Sequence, residues 1–406
     1  MSRIFYALAL IWALNGAALA QDFSALARIL PDQSRISDAG RSGVTVQLGL
    51  SQGVPYRVFT LRDPYRMVLD FQEVDWSGLD RDAFLQSSRI SGVQFGAYVP
   101  GWSRLVLELG APLAVDTADM RIDPATGAAQ LSLTLKGTDF DTFAASAGAP
   151  RQPGWDLPEP AVAIAEPRNE GIKPLRVMLD PGHGGIDPGA EVSGTDEKTL
   201  MLVFARELRE LLLRAGGYEV VLTRVDDQFV SLERRIALAH RAGADVFISL
   251  HADSLSEGHA HGAAVYTLSD DASDVASLKL AERHDRGDLI SGIDLSGSDD
   301  QVADVLLDMA RQETKPRTTA LAQALANGMA QQGGPMNRRP LRTASFSVLK
   351  AADIPSVLVE LGFLSSPRDL KNIQNPEWRA QMALGIFQGL EQWRQDDLVK
   401  RSLIGQ

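Results

Sequence analysis

The chain contains no cysteine in its 406 residues. Disulfides and thiolate-held metals are therefore excluded, and a bound metal would have to rest on nitrogen and oxygen. Closed structural zinc sites favour thiolates, whereas histidine and carboxylate sites more often keep one position open for chemistry. Positive charge is also short. Forty Lys and Arg stand against 52 Asp and Glu, a formal net charge of −12. That balance argues against a broad basic face for nucleic acid phosphates or anionic lipid. Beyond the N-terminus no apolar run has the length of a bilayer span. Histidine is scarce, six in all, so each can be weighed individually.

What is present begins with a leader. Arg3 precedes the apolar stretch Ile4–Leu14, and Ala18-Leu19-Ala20 forms an A-x-A site before Gln21. This pattern predicts a signal peptide over residues 1–20 and an exported mature protein. The length suggests two domains, and 45 % hydrophobic residues allow a sizeable core.

Residues 35–140 are dominated by alternation. Val44–Leu48, Tyr56–Phe59, Arg66–Phe71, Leu105–Leu109 and Leu131–Leu135 read as strands separated by Gly, Pro and Asp punctuation. A small all-β antiparallel sandwich is expected. Tyr98 and Trp102, in a loop with Gly and Pro, suit either sugar stacking or packing on the sheet edge. Residues 141–173 shift to Ala, Pro, Gly and Glu without periodicity, an interdomain linker.

Residues 174–398 read as strand, helix, strand, helix, strand. Leu175–Leu179, Tyr218–Thr223 and Ala244–Leu250 are the strands. The helices are Glu197–Arg214 and a segment N-capped by Ser231. This rhythm predicts an α/β domain, a mainly parallel sheet flanked by helices. Further strands are expected at Ala263–Leu268, Phe346–Leu349 and Ser356–Leu361, with helices over Arg317–Gln331 and Pro376–Trp393.

Three candidate groups end or follow separate apolar strands. His183 lies in the glycine-rich loop after the first, His251 follows Ala244–Leu250, and Glu360 sits in the run Val357–Leu361. Glu197 opens the first helix. In a parallel sheet these side chains can converge at one edge, where open α/β sheets bind ligands. Two imidazoles and a carboxylate with a vacant position are how catalytic zinc is held in many hydrolases, with a second carboxylate free to handle a proton. Glu197 alone would also suit a helix N-terminus. Glu360 is costly to bury unless paired or metal-linked. His240 reads as hydrogen-bonded structure, His259 and His261 as a polar-loop pair, and His284 as a solvated residue of a charged helix.

DPGHGG-x-DPGA at 180–190, Glu197-Lys198, SLHAD at 249–253 and PSVLVELGFLS at 355–365 resemble the zinc-dependent N-acetylmuramoyl-L-alanine amidases of the Amidase_3 family. The resemblance implies Zn2+ held by His183, Glu197 and His251, with Glu360 as catalytic base and acid. It also implies hydrolysis of the amide between N-acetylmuramic acid and the L-alanine of the peptidoglycan stem peptide. The preceding β region resembles the AMIN domain, which targets such enzymes to peptidoglycan at the division site. Division amidases carry an inserted helix that occludes the zinc until an activator displaces it. The acidic stretch 280–313 occupies that place, and Glu282 or Asp285 is the expected plug. A periplasmic location follows from the same resemblance. So does a periplasmic activator protein with a degenerate metallopeptidase domain. Two other readings stay open: a zinc peptidase acting within stem peptides, and an inactive wall-binding protein.

Overall fold

The computed structural model describes residues 26–99, 101–149, 174–255, 260–290 and 301–404. The expected signal peptide, residues 150–173 of the expected linker, His259 and residues 291–300 of the acidic stretch lie outside the described residues.

The N-terminal region is two facing sheets. One runs in the order Val74–Asp75, Ala27–Ala39, Gly43–Leu50, Ala129–Gly137 and Leu113–Ile122, with Leu85–Gln86 paired beside Ala27–Ala39. The other runs Tyr56–Leu61, Arg66–Gln72, Trp102–Leu109 and Ile90–Val99, antiparallel throughout. Alternation sends Val44, Val46, Leu48, Leu131, Leu133 and Leu135 into the space between them, all fully buried. Three strands carried no clear signal in the sequence. Ala27–Ala39 changes register between Leu30 and Arg35, and Leu113–Ile122 is mostly exposed. Ile90–Val99 is only partly buried over most of its length.

The second domain is a six-stranded sheet ordered Tyr218–Leu222, Leu175–Pro181, Val246–His251, Ser356–Glu360, Ala263–Leu268 and Met336–Ala344. All pairings are parallel except Ala263–Leu268 against Ser356–Glu360. Helices Glu197–Ala215, Gln301–Gln331 and Pro376–Ile404 supply one covering layer. Leu208, Leu325, Ile386 and Leu390 are buried there against Val177, Ile248 and Val359. Helix Leu232–Ala242, capped by the Ser231 side chain, and helix Val275–Ile290 lie on the other face. The segment expected as a strand at Phe346–Leu349 is instead a short 3-10 turn over Ser347–Leu349. The strand lies just before it, at Met336–Ala344, where Pro340 is tolerated because this strand is the sheet edge.

Candidate metal centre and active site

Strand register brings the first two groups together. His251 is the direct partner of Glu360 at the carboxyl ends of adjacent parallel strands. Gly182, at the end of the neighbouring strand, donates its N–H to Leu250 O at 2.9 Å. A Cβ on Gly182 would meet the His251 ring at 2.1 Å, so the loop can turn past the imidazole only without a side chain there. The next residue, His183, adopts a left-handed conformation with φ of 59°. Such a backbone state is costly in a non-glycine residue and persists where the surroundings fix it.

The surroundings here are two buried arginines. Arg235 donates to Pro181 O and His183 O at 3.1 and 2.8 Å. It also pairs with Asp180 Oδ1 at 2.5 Å. Arg224 donates to Pro181 O, Gly182 O and Lys198 O at 3.0, 2.9 and 2.7 Å. The His183 loop and the start of the Glu197 helix are thereby tied to one guanidinium. Asp180 also accepts from Thr223 and Ser249, both at 2.6 Å.

Glu197 is fully buried at the first position of its helix, where the helix dipole favours negative charge. Its Oε2 lies 3.2 Å from His183 Nε2 and its Oε1 3.1 Å from His251 Nδ1. Ala190 N and Ala252 N donate to the same carboxylate at 3.0 and 2.8 Å. Asp187, within the same glycine-rich motif, holds His183 Nδ1 at 2.8 Å and so leaves Nε2 aimed at the shared point. Glu360 accepts from Asp253 N through Oε2 at 3.1 Å. Its Oε1 and the Nε2 of His183 are buried without a hydrogen-bond partner.

The local electrostatics follow. Burial opposes the charged form of His183, but Asp187 and Glu197 outweigh it and hold the imidazole well above its ordinary range. Burial pushes Glu197 up, yet the two imidazoles bring it well below the usual carboxylate range. Glu360 is held well above that range by burial, then by the Glu197 and Asp253 carboxylates. Asp253 is pushed up to about 6 by burial and by Glu197.

The structure corrects the reading of the acidic stretch. Glu282 is exposed to solvent, and Asp285 accepts a hydrogen bond from Ser347 N at 3.0 Å, so neither carboxylate faces the site. One of the two residues between them does. His284, expected to be solvated, is 4 % exposed, with its ring centroid 4.1 Å from that of His251 and 5.7 Å from that of His183. Its Nε2 is 3.6 Å from Asp253 Oδ2 and 3.7 Å from Glu360 Oε1, and it has no hydrogen-bond partner. Burial, with the two other imidazoles, depresses its proton affinity strongly. A signal was available: Ser277, Leu280, Ala281 and His284 are spaced i, i+3, i+4 and i+7, one helix face, and all four are buried.

Two other described histidines make polar contacts outside the site. His240 Nε2 pairs with Asp353 at 2.7 Å, and His261 Nδ1 meets Arg368 at 3.2 Å. Tyr98 does not offer a free face for sugar. It stacks on Phe229 at 5.6 Å, and the Arg104 guanidinium lies 3.5 Å from its centroid.

These donors fit a divalent transition metal. Nitrogen atoms of His183, His251 and His284 lie within 4.8 Å of one another, Glu197 bridges the first two, and His183 Nε2, His284 Nε2 and Glu360 Oε1 are buried without hydrogen-bond partners. Such a donor set suits metal-assisted hydrolysis, and the buried Glu360 Oε1 beside it is an oxygen able to take up a proton.

The N-acetylmuramoyl-L-alanine amidase family matches residues 177–392, and the AMIN domain matches residues 34–135. The N-acetylmuramoyl-L-alanine amidase AmiC of Neisseria meningitidis is 31% identical over 363 residues, covering 85% of this chain and 86% of that protein. The AmiC of Escherichia coli is 29% identical over 372 residues, covering 84% of each. Among solved structures, the amidase AmiC2 of Nostoc punctiforme matches with a TM-score of 0.41 at 27% identity, over 56% of this chain and 99% of that one. With its AMIN domain and its match to AmiC over most of its length, the chain belongs to the N-acetylmuramoyl-L-alanine amidase family and is an AmiC-like peptidoglycan amidase.

Proposed function

We propose that the protein is a zinc amidase of the periplasm that separates stem peptides from glycan during daughter-cell separation and is held inactive by its own helix Val275–Ile290. The observation that carries the catalytic part is the meeting of His183, Glu197 and His251 around one point, with the unpartnered Glu360 Oε1 nearby. Under this reading those three residues hold the zinc. Zinc held by His183, Glu197 and His251 would supply Lewis-acid chemistry, lowering the pKa of a water and polarising the lactyl carbonyl. Glu360 accepts the proton of the attacking water and returns it to the departing alanine nitrogen as the C–N bond breaks. A carboxyl of raised proton affinity suits that double role. Asp187 keeps His183 in one tautomer, and Arg224 and Arg235 keep the loop in place.

Support for inhibition comes from His284, whose ring sits among the two other imidazoles and beside Glu360. Its helix is fastened there by Arg283 Nη1 on Asp253 Oδ1 at 2.8 Å and by Asp285 on Ser347 N. The plug is then a histidine, and a periplasmic partner with a degenerate metallopeptidase domain is the agent that lifts the helix. Export fits the leader at residues 1–20, and among the described residues no helix is long and apolar enough to cross a membrane.

The deciding experiment is mass spectrometry of purified sacculi digested by the zinc-loaded His284→Ala protein. Intact stem peptides freed from glycan are expected, and chelation should abolish them. Fragments cut within the stem would replace this reading with a peptidase. No product from a zinc-replete, folded protein would make it a wall-binding module.

A further inference from the structure

The N-terminal β domain does more in this structure than precede the catalytic domain. Its strand Ile90–Val99 lies directly on the loop that carries His183. Ile186 N donates to Ala97 O at 2.8 Å, a backbone hydrogen bond between the two domains. Glycines face each other across this contact. A Cβ on Gly96 would meet Ile186 Cα at 3.0 Å and Gly185 O at 3.1 Å, and one on Gly185 would meet Ala97 O at 2.1 Å. Two main chains can approach this closely only where both lack a side chain. Around them a mixed apolar cluster forms, with Phe59, Leu61, Val68 and Val106 from the β domain against Ile186 and Phe229. At the rim Arg81 Nη1 meets Glu191 Oε2 at 2.5 Å.

The contact leads straight to the site. Ile186 adjoins Asp187, whose carboxylate fixes His183 Nδ1. Gly184 and Asp187 exchange backbone hydrogen bonds at 2.8 and 3.1 Å, so Gly185 and Ile186 form the tip of a tight turn between them. Phe229, stacked on Tyr98, lines the same pocket as His183, His251 and His284. Tyr98 in turn is backed by buried Arg104, which pairs with Asp70 at 2.5 Å. A displacement of strand Ile90–Val99 therefore cannot leave this turn unchanged.

We propose that the N-terminal β domain is a working part of the active site, with Gly96, Ala97 and Tyr98 as positioning residues that act on His183 through Ile186 and Asp187. The inference rests on His183 being a metal ligand. It adds that metal affinity depends on docking of the β domain, so a ligand that shifts that domain would act on the metal centre.

The test uses the full chain, zinc with a competing chelator, and hydrogen exchange at the Ile186 amide. In the wild type that amide should exchange slowly, as a buried bonded group does. Gly96→Leu should speed its exchange at least tenfold and weaken zinc binding about tenfold, the scale of losing a group that orients a ligand. Tyr98→Ala, which adds no bulk, should act in the same direction, and Tyr98→Phe should restore wild-type affinity. Leu48→Ala, in the core between the two β sheets and away from the contact, should lower the melting temperature yet leave zinc affinity within twofold. The proposal is overturned by a freely exchanging Ile186 amide in the wild type, or by unaltered zinc affinity in both Gly96→Leu and Tyr98→Ala. An equal loss in Leu48→Ala would also overturn it, because general destabilisation would then be the cause. His183→Ala separates the two levels. Unchanged zinc affinity in that variant refutes the ligand assignment itself, whereas its loss beside an unaffected Gly96→Leu refutes only the coupling.

Discussion

Glu360 and Glu197 lie in one pocket and their proton affinities are pushed in opposite directions, that of Glu360 up by burial and neighbouring carboxylates, that of Glu197 down by two imidazoles. Paired groups with divided proton affinities mark an acid–base role. Glu360→Gln should therefore lower turnover about 10²- to 10⁴-fold while zinc stoichiometry, read by elemental analysis, stays at the wild-type value. Asp180 is different in kind. It is fully buried and pairs with Arg235, which overcomes the burial cost and keeps its carboxyl below the ordinary range. Its folded proton affinity is depressed, so its contribution to stability is complete above the unfolded carboxyl pKa of about 4. That contribution fades as pH falls through the lower folded value. Asp180→Ala should cost about 3–5 kcal/mol at neutral pH, and the gap between variant and wild type in urea unfolding should narrow in acid. At this scale the sequence was informative where glycine surrounded a histidine, and misleading at His284. Its neighbours Glu282, Arg283, Asp285 and Arg286 suggested a wet surface, while the helical period carried the opposite message.

Helix Val275–Ile290 is held over the pocket by apolar packing and by polar ties among its described residues. Its own Leu280 and Ala281 are buried, Asp274 caps Ser277 N at 2.9 Å and pairs with Arg342 at 2.7 Å, and Arg283 reaches Asp253. The Arg283 side chain is about half exposed, so its bond is screened and its loss should loosen the helix rather than unfold it. Arg283→Ala should thus raise activator-free muropeptide release by a few fold, and His284→Ala by more, as measured by dye release from labelled sacculi. Unchanged basal rates in both folded variants would remove the helix from any inhibitory role. Among the elements, apolar alternation made the buried strands readable in sequence. Strand Met336–Ala344 was not, because an edge strand with Arg338, Arg339 and Pro340 lacks the pattern of burial on both faces. The short turn at Ser347–Leu349 looked like a strand because Phe346, Val348 and Leu349 are buried in a loop beneath the His284 helix.

Across the whole molecule, the two domains meet through a shared apolar cluster and a backbone hydrogen bond at the loop that carries His183. Zinc should stabilise the folded chain by mass action, about 2.7 kcal/mol at a hundredfold excess over its dissociation constant. Chelation should reverse that gain in thermal unfolding. If strand Ile90–Val99 supports the metal loop, chelation should also speed exchange at amides around Ala97 to Val99, in a domain that contributes no ligand. Protection there that is indifferent to zinc would mean the two regions are uncoupled.

The sequence by itself determined the local chemistry of this protein. Apolar runs became strands, glycines made a loop that can turn around His183, and a carboxylate inside Val357–Leu361 needed a partner to be buried. These are consequences of steric freedom and desolvation, which act over a few neighbouring residues. Tertiary structure alone decided that His284 joins the pocket and that Tyr98 meets Phe229. It also decided that Gly96 and Gly185 oppose each other across a domain boundary. Such meetings depend on how whole elements pack, and no spacing along the chain encodes the distance between two surfaces that fold apart and then touch.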